Sequence, residues 1–228
     1  MSKTLRSVIL WLCCITVQAQ SKDSVTVNFK LFFDHKPLLL NQSYVTVNKD
    51  TVSISTFKCY VSDVVIQYAD QTVYHEKNSY HLLDSEIPNS MQIRFPNIKT
   101  KTISKVIFNI GIDSLTNTSG ALSGDLDPTK GMYWAWQSGY INMKIEGSSP
   151  TCKTRKNQFQ FHLGGYLQPY YALRRKVINV NDHGNINIGI DVAVFLTEVN
   201  LAQTNSIMIP GKTAMELADI SAKMFYLE

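Results

Sequence analysis

Apolar and polar residues alternate one by one along much of this 228-residue chain. The alternation is clear over residues 24–33, 106–112, 141–145 and 159–163, and it is longest over residues 186–194. Successive side chains of a β-strand point to opposite faces, so a period of two predicts strands that bury one face. We therefore assign the chain to the mainly β class and predict an antiparallel β-sandwich.

Two stretches depart from this alternation in ways that predict particular structures. Residues 51–68 are rich in β-branched and aromatic side chains but lose their phase near Ser62, which predicts a β-bulge. In residues 214–225 the apolar side chains recur every three or four positions, which predicts a short C-terminal helix. Thr213 and Glu216 have the spacing of a capping box at its start.

A long segment without strand or helix periodicity lies in the middle of the chain. Residues 111–140 have the composition of a loop and end in a run that contains Trp134 and Trp136. Long loops within compact domains are usually functional, and aromatic side chains need something to pack against. We expect this aromatic loop, defined as residues 111–140, to form an ordered surface.

The N-terminus has the features of a secretory signal peptide over residues 1–19. Lys3 and Arg6 precede an apolar run of about ten residues, which is half the length that a membrane span needs. The small residue Ala19 provides a cleavage site, whereas a lipoprotein signal at Cys13 is less well supported. We predict a single mature domain over residues 20–228, exported to the periplasm or secreted, with no membrane span.

Composition and motifs exclude several classes of function. The chain is 44% hydrophobic and 18% charged, too apolar for a disordered protein. Loss of Lys3 and Arg6 with the signal lowers the formal net charge from +4 to +2. This small excess does not predict a nucleic-acid partner. The sequence contains no zincin, P-loop, dinucleotide-binding or hydrolase-elbow motif.

Two cysteines, Cys59 and Cys152, remain after removal of the signal. In an oxidising compartment the pair could form a disulfide that closes a long loop. The alternative is a buried free thiol, since Cys59 alternates with apolar neighbours. The sequence leaves both interpretations open.

Two of the five histidines stand out as candidate metal ligands. His35 and His162 occupy strand positions beside unusual glycine or proline elements. The imidazole ring is a common metal ligand. The other three lie in turns or on polar strand faces: His75, His81 and His183.

The aromatic loop and its flanks resemble the MbnP-like copper-binding protein family. The resemblance rests on Asn-Ile-Gly-Ile-Asp-Ser at 109–114, Asp-Pro-Thr-Lys-Gly-Met-Tyr-Trp-Ala-Trp-Gln-Ser-Gly-Tyr at 127–140, Glu-Gly at 146–147 and Phe-His-Leu-Gly-Gly at 161–165. It extends over about residues 25–226. The second motif is long and unusual in composition, which makes a chance match improbable.

The resemblance implies an exported, mostly β protein that binds copper and is not itself an enzyme. In characterised relatives, histidine holds the copper together with kynurenine, an oxidised tryptophan. A partner dihaem enzyme of the cytochrome-peroxidase type makes that modification. Acquisition or homeostasis of copper is the implied role.

Carried onto this chain, the resemblance implies His162 as the first copper ligand and His35 as the second. Trp134 and Trp136 are equal candidates for oxidation, and Met132 could add a soft sulfur ligand. Because thioether ligands suit the softer ion, Cu(I) is favoured over Cu(II).

A second hypothesis needs no metal. The same chain could be a β-sandwich interaction module that binds a protein or glycan partner through its aromatic loop, with Trp134 and Trp136 as packing residues.

Overall fold

The computed structural model describes residues 24–99, 101–137 and 139–228. The predicted signal peptide at residues 1–19 lies outside the described residues. The strands in chain order are β1 (Ser24–Phe33), β2 (Lys36–Pro37), β3 (Ser43–Val45), β4 (Thr51–Tyr68), β5 (Val73–His75), β6 (Tyr80–Asp84), β7 (Gln92–Pro96), β8 (Ile103–Ile110), β9 (Ile141–Ser148), β10 (Gln158–Gly164), β11 (Arg174–Asp182), β12 (Asn185–Asp191), β13 (Ser206–Ile207) and β14 (Phe225–Leu227). The helices are α1 (Ser114–Thr118), α2 (Val192–Glu198) and α3 (Lys212–Lys223).

The strands form two sheets, which confirms the predicted mainly β sandwich. The first sheet has the order β14-β12-β1-β2, and β7 also pairs with β1. The second has the order β11-β8-β4-β9-β10-β13, and β3, β5 and β6 also pair with β4. The main core lies between the sheets, where the rings of Phe29 and Phe108 meet edge to face with centroids 5.9 Å apart.

The pairing is mixed and not purely antiparallel. β1 pairs with β12 in parallel, with Phe29 opposite Ile188, and β10 pairs with β13 in parallel. Parallel neighbours require a long connection, and most of the chain separates β1 from β12. Alternation reports which face of a strand is buried, and carries no information about strand direction.

The predicted bulge in β4 is confirmed. The register of β4 against β8 shifts between Ser62 and Val65, and Asp63 has a positive φ of 49°. The backbone N–H of Asp63 bonds to the carbonyl of Ser79 instead of continuing the ladder. This explains the loss of phase in the sequence.

The C-terminal helix is confirmed as α3, but its predicted capping box is wrong. The residue at the N-cap is Gly211, no side chain caps the helix, and Thr213 lies inside it. The expected extension of the strand through Val192 and Val194 is also wrong. The chain turns into α2 at Val192, because the carboxylate of Asp191 accepts the backbone N–H of Ala193 at 3.0 Å.

Cys59 and Cys152 are not paired with each other. Cys59 and Cys152 are both buried free thiols, and burial raises the pKa of each. Of the two alternatives left open by the sequence, the structure has the buried thiol.

Asp191, at the end of β12, connects the end of the neighbouring strand β1 with the start of α2 through hydrogen bonds. Its carboxylate accepts the backbone N–H groups of Asp34 at 3.0 Å, His35 at 2.9 Å and Ala193 at 3.0 Å, and the residue is 2% exposed. One side chain therefore fixes both the turn after β1 and the start of α2.

We predict that Asp191→Ala lowers the free energy of unfolding by about 2–4 kcal/mol, because it removes the acceptor of the buried N–H of Ala193 and of the half-buried N–H groups of Asp34 and His35. Urea denaturation followed by circular dichroism measures the change. Asp34→Asn is the control, since Asp34 is exposed and its positive φ of 50° suits asparagine. An Asp191→Ala midpoint equal to that of the control would contradict the prediction.

Candidate functional site

The aromatic loop packs on the outer face of the second sheet, as expected for an ordered surface. It contains α1 and buries a second, smaller cluster of apolar side chains. This second core consists of Tyr60, Leu82, Ile112, Leu126, Met132, Trp134, Tyr140 and Ile141. The middle of the second sheet is therefore covered on both faces.

Hydrogen bonds from buried side chains hold the loop in place. The backbone N–H of Tyr140 donates to the side-chain oxygen of Asn117 at 2.7 Å. The phenol oxygen of Tyr140 accepts from the backbone N–H of Leu122 at 3.0 Å. The phenol of Tyr60 donates to the carbonyl of Asp125 at 2.9 Å. Burial raises the pKa of both tyrosines, so both stay neutral.

Asp113 fixes the start of the loop. Its carboxylate caps α1 by accepting the N–H of Thr116 at 2.9 Å, and it accepts the phenol of Tyr80 at 2.9 Å. Burial alone would raise the pKa of Asp113, but the hydrogen bonds from Thr116 and Tyr80 outweigh burial and lower it. The loop is thus tied to β6 at its beginning and to β9 at its end.

The two tryptophans of the loop have different environments. Trp134 is 6% exposed and lies against β10, whereas Trp136 is 64% exposed. Their ring centroids are 6.4 Å apart. A Cβ atom at Gly164 would lie 2.7 Å from the ring of Trp134, so only glycine allows this approach. The indole nitrogen Nε1 of Trp134 is buried and has no hydrogen-bond partner among the described residues.

His162 lies on the same strand as Gly164 and on the face that carries the loop. It is opposite Lys144 in the register of β9 and β10, and the ammonium of Lys144 reaches the loop carbonyl of Gly131. His162 is 6% exposed. Its Nε2 lies 2.6 Å from Oε1 of Glu146.

The electrostatics of this pair favour an ionised carboxylate. The hydrogen bond from His162 lowers the pKa of Glu146, burial opposes it, and the charges of His162 and Lys144 lower it further. Burial lowers the pKa of Lys144 itself. Glu146 was not among the candidates from sequence. Its signals there were a place in the Glu-Gly pair of the family resemblance and a polar position on an alternating strand, and neither says that its strand lies beside that of His162.

The structure does not bring His35 to this site. His35 lies in the turn between β1 and β2 of the first sheet, with its side chain 80% exposed and its Nδ1 3.9 Å from Asp191. Its ring also contacts Tyr226, with centroids 6.0 Å apart.

Met132 does lie in the second core, together with Trp134, and it is fully buried. The structure thus places Met132, Trp134 and His162 under or beside the aromatic loop, with Trp136 at its surface. Across the three described ranges, no three His, Cys, Asp or Glu side chains form a group that could hold a metal ion. No helix within those ranges is long and apolar enough to cross a membrane.

Comparison with known proteins places the chain in a family. A family model described as MbnP matches residues 22–209, most of the sequence, and the chain therefore belongs to the MbnP family. Among solved structures, it resembles MbnP from Methylosinus trichosporium with a TM-score of 0.58, at 14% identity and over 78% of each chain. At this identity the likeness concerns the fold. The search of curated proteins found no match.

We predict that Gly164→Ala displaces the ring of Trp134 and destabilises the protein by about 1–3 kcal/mol, because the added methyl group overpacks the contact. Urea denaturation gives the stability, and tryptophan fluorescence reports the ring environment. Gly211→Ala is the matched control, since a Cβ there meets no atom within 4 Å. Equal effects of the two substitutions would show that the close approach of Trp134 to β10 does not matter.

Proposed function

We propose that this protein is an exported copper-binding protein that serves copper acquisition or homeostasis and is not an enzyme. The observation that carries the proposal is that His162 and Trp134 both lie under the aromatic loop. A buried histidine with a carboxylate partner, His162, lies on the strand against which the buried Trp134 packs. Family membership supports the same conclusion.

The side chains present fit copper when one of them is modified. Imidazole is a good copper ligand, and copper has the highest affinity of the first-row divalent ions for such donors. The indole of Trp134 offers only an N–H donor, so in its native form it is not a ligand. Oxidation to kynurenine would expose an aromatic amine and a ketone at the same place. The thioether of Met132 suits Cu(I).

The proposal selects Trp134 over Trp136 as the tryptophan that is oxidised. Trp134 is buried and contacts β10 two residues from His162, while Trp136 is exposed. Its Nε1 has no hydrogen-bond partner within the described part of the chain, as expected if the pocket is not shaped to bind an intact indole. A dihaem enzyme of the cytochrome-peroxidase type is the proposed modifying partner. His35, in the other sheet, is not part of the proposed site.

We predict that protein purified from its native host contains copper close to one equivalent, and that His162→Ala lowers Cu(I) affinity by at least about 100-fold. Loss of a direct ligand should exceed the roughly 10–100-fold effect of outer-shell partners. Elemental mass spectrometry and competition with a chromophoric Cu(I) chelator measure the two quantities. His75→Ala is the control, since His75 is exposed on β5.

Peptide mapping of the same sample locates the modification. Kynurenine at residue 134, with residue 136 unchanged, is the expected result. Background copper in the wild type, or equal Cu(I) affinity in His162→Ala and His75→Ala, would contradict copper binding at this site.

The exposed side of the loop favours interaction with a macromolecule as the second candidate function. Beside it lies a groove of about 320 Å³ lined by residues such as Tyr166, Pro169, Tyr170 and Pro210, and both Trp136 and Leu167 are 64% exposed. Exposed apolar patches of this kind mark interaction sites. A His162→Ala variant that keeps its partner binding and lacks any copper phenotype would favour this alternative.

A further inference from the structure

His162 has two ring nitrogens, and the structure distinguishes them. Nε2 lies 2.6 Å from Oε1 of Glu146, whereas no hydrogen bond joins Nδ1 to any residue in the described part of the chain. In a neutral imidazole one nitrogen carries the proton and the other offers a lone pair. Which nitrogen offers the lone pair decides which one can bind a metal.

We infer that Glu146 is a positioning residue that holds His162 as the Nε2–H tautomer, so that Nδ1 is the nitrogen that binds copper. The inference rests on the proposed copper function and deepens it. It assigns a role to a residue that has no direct contact with the metal.

The surroundings of Glu146 support this assignment. An ionised carboxylate only accepts hydrogen bonds, so the proton between the two residues belongs to Nε2. The hydroxyl of Thr56 bonds to the same carboxylate and so helps to fix its position beside Nε2.

The fold also makes Glu146 a rigid support. β9 lies between β4 and β10, with Glu146 opposite Thr56 on one side and adjacent in register to His162 on the other. Its side chain is 26% exposed and that of His162 is 7% exposed, so the pair is largely shielded from water. A group on a central strand, bonded from both neighbouring strands, positions its partner more precisely than a loop residue would.

A carboxylate behind a metal-binding histidine has two physical effects. It fixes the orientation of the ring, and it raises the basicity of the nitrogen that faces the metal. Removal of such a partner typically weakens metal binding by about 10–100-fold. Glutamine at position 146 keeps the shape of the side chain but can present an N–H donor to Nε2, which would favour the other tautomer.

The first test needs no variant and no metal. Long-range ¹H–¹⁵N correlation spectra of the metal-free wild type report the tautomer of His162 directly. The expected result is a proton on Nε2, and a proton on Nδ1 would overturn the inference. In the protein loaded with diamagnetic Cu(I), the Nδ1 resonance should shift while the Nε2 proton remains. The reverse pattern would also overturn it.

The second test compares Cu(I) affinity in Glu146→Gln with that in Glu216→Gln, where Glu216 is an exposed residue of α3 paired with Lys212. We predict a loss of about 10–100-fold in Glu146→Gln, together with an altered His162 tautomer, and no loss in Glu216→Gln. Wild-type affinity in both variants would overturn the inference.

The two proposals fail separately. If the wild type binds no copper, the proposed function is wrong, and the assignment of Nδ1 as the copper-binding nitrogen falls with it. The spectra of the metal-free protein then still decide whether Glu146 sets the tautomer. If the wild type binds copper and Glu146→Gln binds it equally well, only the role of Glu146 is wrong.

Discussion

The coverage of the second sheet on both faces is the constraint on which the rest of the structure depends. β4 packs Phe57 and Cys59 into the main core and Tyr60 into the second core under the aromatic loop. Polar groups on the covered face have lost water, and a buried polar group without a partner is costly. Each must therefore find a partner within the protein. Lys58 pairs with Asp84 at 2.8 Å, Lys144 bonds to the loop, and His162 pairs with Glu146.

Among the described residues, two buried side-chain atoms break this rule, Nδ2 of Asn142 on β9 and Nε1 of Trp134 at the proposed site. The ring of Trp134 is held by a contact that requires glycine at position 164. A packing role explains the position of the ring, because indole fills the space between the loop and β10. It does not explain why the one polar atom of that ring is left unsatisfied. The proposed oxidation of the ring would account for both observations.

Sequence reasoning predicted those features that depend on local periodicity. Alternation identified the strands, the loss of phase near Ser62 identified the bulge, and the spacing after residue 211 identified α3. It was wrong where a tertiary contact overrides the local pattern. Val192 and Val194 continue the alternation, yet the carboxylate of Asp191 starts a helix there. The parallel pairing of β1 with β12 could not be predicted either, since alternation does not specify the direction of a strand or its neighbours.

The same limit applies to the candidate site. Composition and the family resemblance singled out His162, Trp134 and Met132, and the structure places them around one loop. Trp134 and Trp136 could not be separated from sequence, because residues two apart point to the same side of an extended chain. Their burial separates them, since the chain turns between β-bridge residues Tyr133 and Tyr140 and leaves only Trp134 beneath the loop. Glu146 belongs to one of the motifs that carry the resemblance, but its contact with His162 follows only from the pairing of β9 with β10, which the sequence does not specify.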